Sequence, residues 1–156
     1  MPSTTTAYAK NIIRRAFREI IDPTPSKQEA EAVWNYFARE CAYCGKKLLK
    51  ENKEGHMDHL ISASKGGRNS LSNRVLSCAN CNEKEKRDLP WEEFLESKVS
   101  VQSVLEFRRR KIIDWQQQNS TDADGAFQRF VNSADSLADE VVEYFELKIK
   151  QLKVQK

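Results

Sequence analysis

Between Cys41 and Cys81 the chain gathers every cysteine and histidine it has. They are the pairs Cys41-Ala-Tyr-Cys44 and Cys78-Ala-Asn-Cys81 and, between them, the stretch Gly55-His56-Met57-Asp58-His59-Leu60. A two-residue gap lets both thiolates of a pair address one ion from a tight turn, and zinc accepts four such ligands. The spacing predicts a closed, tetrahedral zinc site from Cys41, Cys44, Cys78 and Cys81, with no coordination position left for chemistry. Residues 45–77 form a longer insert than the ~15–20 residues common in simple zinc ribbons, so something folded must sit inside it. That insert offers a second, separate chemistry. Asp58 is a hard oxygen donor suited to Mg²⁺ or Mn²⁺, and His59 is a base that titrates near neutrality. Phosphodiester chemistry wants that combination of hard cation and base.

On a strand, side chains alternate faces, so His56, Asp58 and Leu60 point one way while Met57, His59 and Ile61 point the other. A local twist is then required for Asp58 and His59 to serve one phosphate. Two readings of His56 stand side by side: a ligand or phosphate contact on Asp58's face, or a partly exposed strand histidine.

The elements that must position these residues are mostly helical. The pattern predicts a first helix over Ala7–Ile21, with Ile13, Ala16, Phe17, Ile20 and Ile21 as its apolar stripe. Asp22-Pro23-Thr24-Pro25 ends it. Ser26 and Glu29 form a capping box for a second helix. Its buried positions Ala30, Val33, Trp34, Phe37, Ala38 and Cys41 lead straight into the first cysteine pair. Met57–Ser62 reads as a strand, Lys65-Gly66-Gly67-Arg68-Asn69 as the loop after it, and Asn80–Lys86 as the start of a short helix. Beyond Pro90, Val101, Val104, Leu105, Ile112 and Trp115 share one helix face. A long helix opens near Asp124, with Phe127, Phe130, Val131, Ala134, Ala138, Val141, Phe145 and Leu152 inward.

With 156 residues, one moderate core plus a helical appendage is the expectation. The balance of 26 Lys+Arg against 23 Asp+Glu permits a nucleic-acid partner only if the cations concentrate on one face. No apolar run approaches the roughly 20 residues of a membrane helix, so no membrane partner is expected. The N-terminus carries no secretory signal, and Glu19 and Asp22 argue against a transit peptide. A cytoplasmic, reducing location is the expectation, in which paired CxxC motifs read as metal ligands before disulfides.

Taken in order, Cys41-x-x-Cys44, Met57-Asp58-His59-Leu60, Gly66-Gly67, Asn73 and Cys78-x-x-Cys81-Asn82 resemble the HNH endonucleases, the ββα-metal (His-Me finger) group, over roughly Cys41 to Phe94. The resemblance implies a metal-dependent DNA endonuclease. Asp58 and Asn82 would bind a catalytic Mg²⁺ or Mn²⁺, His59 would be the general base, and Asn73 would brace the loop that keeps the histidine oriented. The cysteines match the family's zinc knuckles. There are departures: no proline follows the Asp-His pair closely, and Glu85 stands where the family's Asn-x-x-Lys ending has lysine. That leaves the lysine's role between Lys84 and Lys86.

Lys65, Arg68, Arg74, Lys84, Lys86 and Arg87 surround this core and are the expected contacts to a nucleic-acid backbone. Arg108 falls within an apolar stripe, with a structural role or a reach to DNA both open. Two further classes compete with the endonuclease: a zinc-stabilised binding module without catalysis, and a nuclease subunit docking a larger partner. The heptad spacing of Val131, Ala138, Phe145 and Leu152 keeps the latter open and also allows a homodimer. The expected organisation is α+β, a small ββα-metal zinc-bound core over 41–95. A helical segment over 1–40 packs on it, and a helical extension covers 96–156.

Overall fold

The computed structural model describes residues 6–120 and 124–154, without the side chains of Thr6, Arg18, residues 124–132, Ala134, Asp135 and Val154. The chain clusters into two compact units, one from residues 24–120 and one from 1–23 with 121–156.

The first of these units holds the cysteines. Helix α1 (Thr6–Ile21) belongs to the other unit, and the first helix of this one is α2 (Lys27–Tyr36). Ser26 caps α2 with both halves of a capping box, its hydroxyl on the Glu29 amide and the Glu29 carboxylate on the Ser26 amide. The helix ends at Tyr36, earlier than its apolar spacing suggests. Ala38 and Arg39 adopt positive φ angles, and Ala38 is exposed. A left-handed turn therefore stands between the helix and Cys41. Val33, Trp34 and Phe37 are buried.

Strand β1 (Gly55–His59) pairs antiparallel with β2 (Arg74–Cys78), with Gly55 opposite Cys78, Asp58 opposite Val75 and His59 opposite Arg74. The strand starts and ends earlier than Met57–Ser62. Its ladder stops because Leu60 N–H is taken by the Asn73 carbonyl at 2.9 Å and Ile61 N–H by the Asn73 side chain at 2.8 Å. After β2 the chain enters a wide π-type helix, Asn80–Lys86, and then α3 (Trp91–Lys98) and α4 (Gln102–Asn119). Leu105, Ile112 and Trp115 of α4 are buried, whereas Val101 and Val104 are exposed, correcting the five-residue stripe. The Trp115 indole N–H lies 2.8 Å from both the Leu71 and the Arg74 carbonyls and fixes the turn ahead of β2. Two strands between helices make this a small α+β core.

In the second unit α1 packs along α5 (Asp124–Val154), and Arg14 and Lys10 pair with Asp139. Ala138 is buried there, as its place in the stripe predicts, but Val142 is buried beyond it while Val141, Phe145 and Leu152 are exposed, so past Ala138 the inner face departs from its expected course. The side chains of Phe127, Phe130, Val131 and Ala134 lie outside the described residues. Ile20, expected inward on α1, is exposed.

Candidate functional site

The first cysteine pair sits in a turn closed by Gly45 N–H on the Cys41 carbonyl at 2.8 Å and by Cys41 N–H on the Lys46 carbonyl at 2.9 Å. Ala42 N–H donates to the Leu76 carbonyl, tying that turn to β2. Cys78 ends β2 and Cys81 lies in the wide helix, so the strand delivers the second pair to the first. All four Sγ atoms lie within 4.8 Å of one another, and none is in a disulfide. Cys44 and Cys78 Sγ are 3.9 Å apart. A zinc tetrahedron with ~2.3 Å bonds sets its sulfurs about 3.8 Å apart, so the cluster fits zinc. Hydrogen bonds from Cys44 and Cys81 hold the Cys41 thiol far below its ordinary range, and hydrogen bonds toward Cys41 and Cys44 hold Cys81 far above it. A bound zinc ion would take all four as thiolates.

Tyr43 stands between two of those cysteines. Its ring is fully buried, packed edge-on against Phe94 at 5.0 Å, and its hydroxyl donates to Asp58 Oδ2 at 2.8 Å. The same oxygen lies 3.2 Å from Lys86 Nζ, which also donates to the His59 carbonyl at 2.7 Å. Burial raises the Asp58 carboxyl above the usual aspartate range, opposed by the Lys86 charge and the Tyr43 hydrogen bond. Lys86 has no exposed surface, so it is not a phosphate-gripping surface cation as its place in the sequence suggests. It is a buried clamp on the Asp58-His59 pair. On the wide helix, the lysine four places after Asn82 turns into the core.

His59 and Asn73 are placed by the loop between the strands. The Asn73 side chain is buried and accepts from Ile61 N–H, then donates to the Ile61 carbonyl at 2.9 Å and the Arg68 carbonyl at 2.8 Å. Gly66 at φ +81° makes the turn. Gly67 is needed for the close approach, because a Cβ there would stand 1.7 Å from the Ile61 carbonyl oxygen and 2.9 Å from Asn73 Nδ2. His59 Nε2 lies 3.0 Å from Asn69 Oδ1. Arg74, also expected at the surface, is instead buried opposite His59 and donates to the Met57 carbonyl at 3.0 Å and to Asn69 Oδ1.

Asn82 is half-buried one turn before Lys86 on the wide helix. Lys65, Lys84 and Arg87 are exposed and border an open groove of about 500 Å³ together with Glu85 and Asp88, while Arg68 is half-buried in the loop. His56 faces the exposed Glu83 with Nδ1 3.3 Å from its carboxylate. Arg108 donates to the Tyr43 carbonyl, a structural contact behind the first cysteine turn. Tyr43 and Asn69 were invisible as site residues in the sequence. Tyrosine inside a CxxC and asparagine in a loop are ordinary there, and only the fold shows which oxygen each meets.

Residues 41–88 match the family model described as HNH endonuclease. No curated protein matches the sequence. Among the described residues, no helix is long and apolar enough to cross a membrane. The matched stretch spans both cysteine pairs and both strands, and it is an HNH endonuclease domain whose four cysteines are positioned to form a metal site.

Proposed function

We propose that the protein is a metal-dependent DNA endonuclease that hydrolyses phosphodiester bonds with His59 as general base. The observation that carries this reading is that both of two consecutive residues, Asp58 and His59, are clamped by side chains of the fold. Tyr43 and Lys86 hold Asp58, and Asn69 with its Arg74 partner holds His59. Preorganisation of this kind suits residues that must meet a reacting group in one geometry.

Asp58 and Asn82 offer oxygen donors of the class a hard divalent ion takes, with the remaining positions for water and phosphate oxygens. Mg²⁺ or Mn²⁺ there would neutralise charge developing on the phosphoryl group and the leaving oxygen. His59 takes a proton from the attacking water as its oxygen bonds to phosphorus. The bond from phosphorus to the 3′ oxygen breaks, and that oxygen takes a proton from solvent, leaving a 5′ phosphate and a 3′ hydroxyl. Zinc in the Cys₄ site holds the fold and takes no part. Lys65, Arg68, Lys84 and Arg87 supply salt-sensitive grip on the DNA backbone. Reduced thiols at the metal cluster suit an intracellular location.

The exposed Leu137, Tyr144, Phe145, Leu147 and Leu152 of α5 support a second reading of the assembly, in which these helices dock a second copy or a larger protein partner.

Purified protein incubated with supercoiled plasmid and Mg²⁺ or Mn²⁺ tests the activity. His59→Ala is expected to lower nicking by about 10²–10⁴-fold while zinc content and DNA affinity stay at the wild-type level. His56→Ala, the internal control, is expected to lose less. A His59→Ala protein that cuts at the wild-type rate beside a dead His56→Ala protein would move the base to His56.

A further inference from the structure

The hydrogen bonds around His59 determine more than its orientation. Asn69 Oδ1 faces two groups, His59 Nε2 at 3.0 Å and a guanidinium nitrogen of Arg74. A guanidinium only donates. The Asn69 atom that meets it must therefore be the oxygen, since the flipped amide would set its NH₂ against a cation. That oxygen only accepts, so a neutral His59 must carry its proton on Nε2 to meet it, and Nδ1 then bears the lone pair. Arg74 is in turn fixed by burial in β2, by its place opposite His59 in the ladder, and by its bond to the Met57 carbonyl at 3.0 Å. The loop that carries Asn69 is held next door, where the Arg68 carbonyl accepts from Asn73 at 2.8 Å.

We propose that Asn69 is a positioning residue that sets the tautomer of His59, with Arg74 setting which face of the Asn69 amide is offered, so that Nδ1 is the nitrogen that takes the proton from water. The logic is that of the acidic partner in a nucleophile–histidine–carboxylate triad, which fixes the imidazole tautomer. Here a neutral amide does the same without adding a negative charge beside Asp58. The proposal rests on the reading of His59 as the base.

The chain has two histidines, so a two-bond ¹H–¹⁵N correlation spectrum of the full-length, zinc-loaded protein resolves both rings, and His56→Ala assigns them. At a pH where both rings are neutral, wild-type His59 is expected to show a protonated Nε2 and an unprotonated Nδ1. Asn69→Asp keeps an acceptor and should keep that pattern. Asn69→Ala should shift His59 toward a tautomer mixture. Its kcat on plasmid should fall roughly 10- to 100-fold, within the whole general-base contribution, with KM within about twofold. Asn69→Asp should recover part of that loss. A wild-type spectrum with the proton on Nδ1, or an Asn69→Ala spectrum unchanged from wild type, would overturn the proposal. The spectrum does not depend on cleavage, so a failure of the base assignment, read from His59→Ala, is distinguished from a failure of the tautomer assignment.

Discussion

A lysine with no exposed surface is tolerated only where its charge is met on the spot. Lys86 meets that condition with one carboxylate oxygen of Asp58 and the carbonyl of His59. Replacing it by methionine keeps the volume but strands a buried carboxylate, and a loss of about 3 kcal/mol is expected in denaturant titration. Tyr43→Phe removes a single hydrogen bond to the same oxygen and should cost about 1–2 kcal/mol, with a weakened affinity for Mn²⁺ as the more telling readout. The contrast shows what a residue's type discloses. Four cysteines at paired spacing disclose a metal site because few other arrangements use them so. The roles of Lys86 and Arg74 are not disclosed, since a cation in a basic stretch looks the same whether it faces solvent or the interior. Asn73 was legible through the ordered motif around it, whereas Asn69, four residues earlier, acts through a contact that only folding brings about.

Among the elements, α2 was read well because its start is encoded locally. Ser26 and Glu29 need no distant partner to form their box. Ser26→Ala should cost about 1 kcal/mol, measured by thermal melting. Hydrogen bonds with Ser26 hold the Glu29 carboxyl below its usual range. The part of the cap that depends on Glu29 is therefore present above the ordinary glutamate pKa and lost as pH falls through the lowered one, so the Ser26→Ala deficit should shrink in acid. The end of the same helix is not legible in the sequence, because two left-handed residues without glycine leave no local sign of a stop. The strand was misplaced for a related reason: Asn73, fourteen positions from His59, ends it. A zinc ion held by the four cysteines would act at this scale as well, joining the turn after α2 to the end of β2 and the wide helix. Cys78→Ser, or a chelator, is expected to give misfolded or insoluble protein, checked by metal analysis and circular dichroism. Zinc-free protein that stays soluble and well folded would refute the site.

At the scale of the whole molecule, the cysteine cluster, both strands and the loop all fall within residues 24–120. A fragment of those residues is expected to fold and hold zinc. One that begins at Cys41 also loses Val33, Trp34 and Phe37 from the core, and should aggregate or melt well below the full chain. Equal melting temperatures for the Cys41 fragment and the full chain would show α2 to be dispensable. Light scattering on the full chain checks whether α5 recruits a second copy.

The place of Tyr43 inside the first cysteine turn has a consequence for timing. During synthesis Tyr43 and Asp58 leave the ribosome before Cys78 and Cys81 do, and the first pair cannot complete its metal tetrahedron until the second exists. With a metal ion completing the cluster, the hydroxyl that steadies Asp58 would be delivered by an event late in the maturation of the domain. For a zinc-bound endonuclease of the kind proposed, a nascent chain would not yet be able to cut, and a cell starved of zinc would accumulate an inert precursor instead of a loosely regulated nuclease.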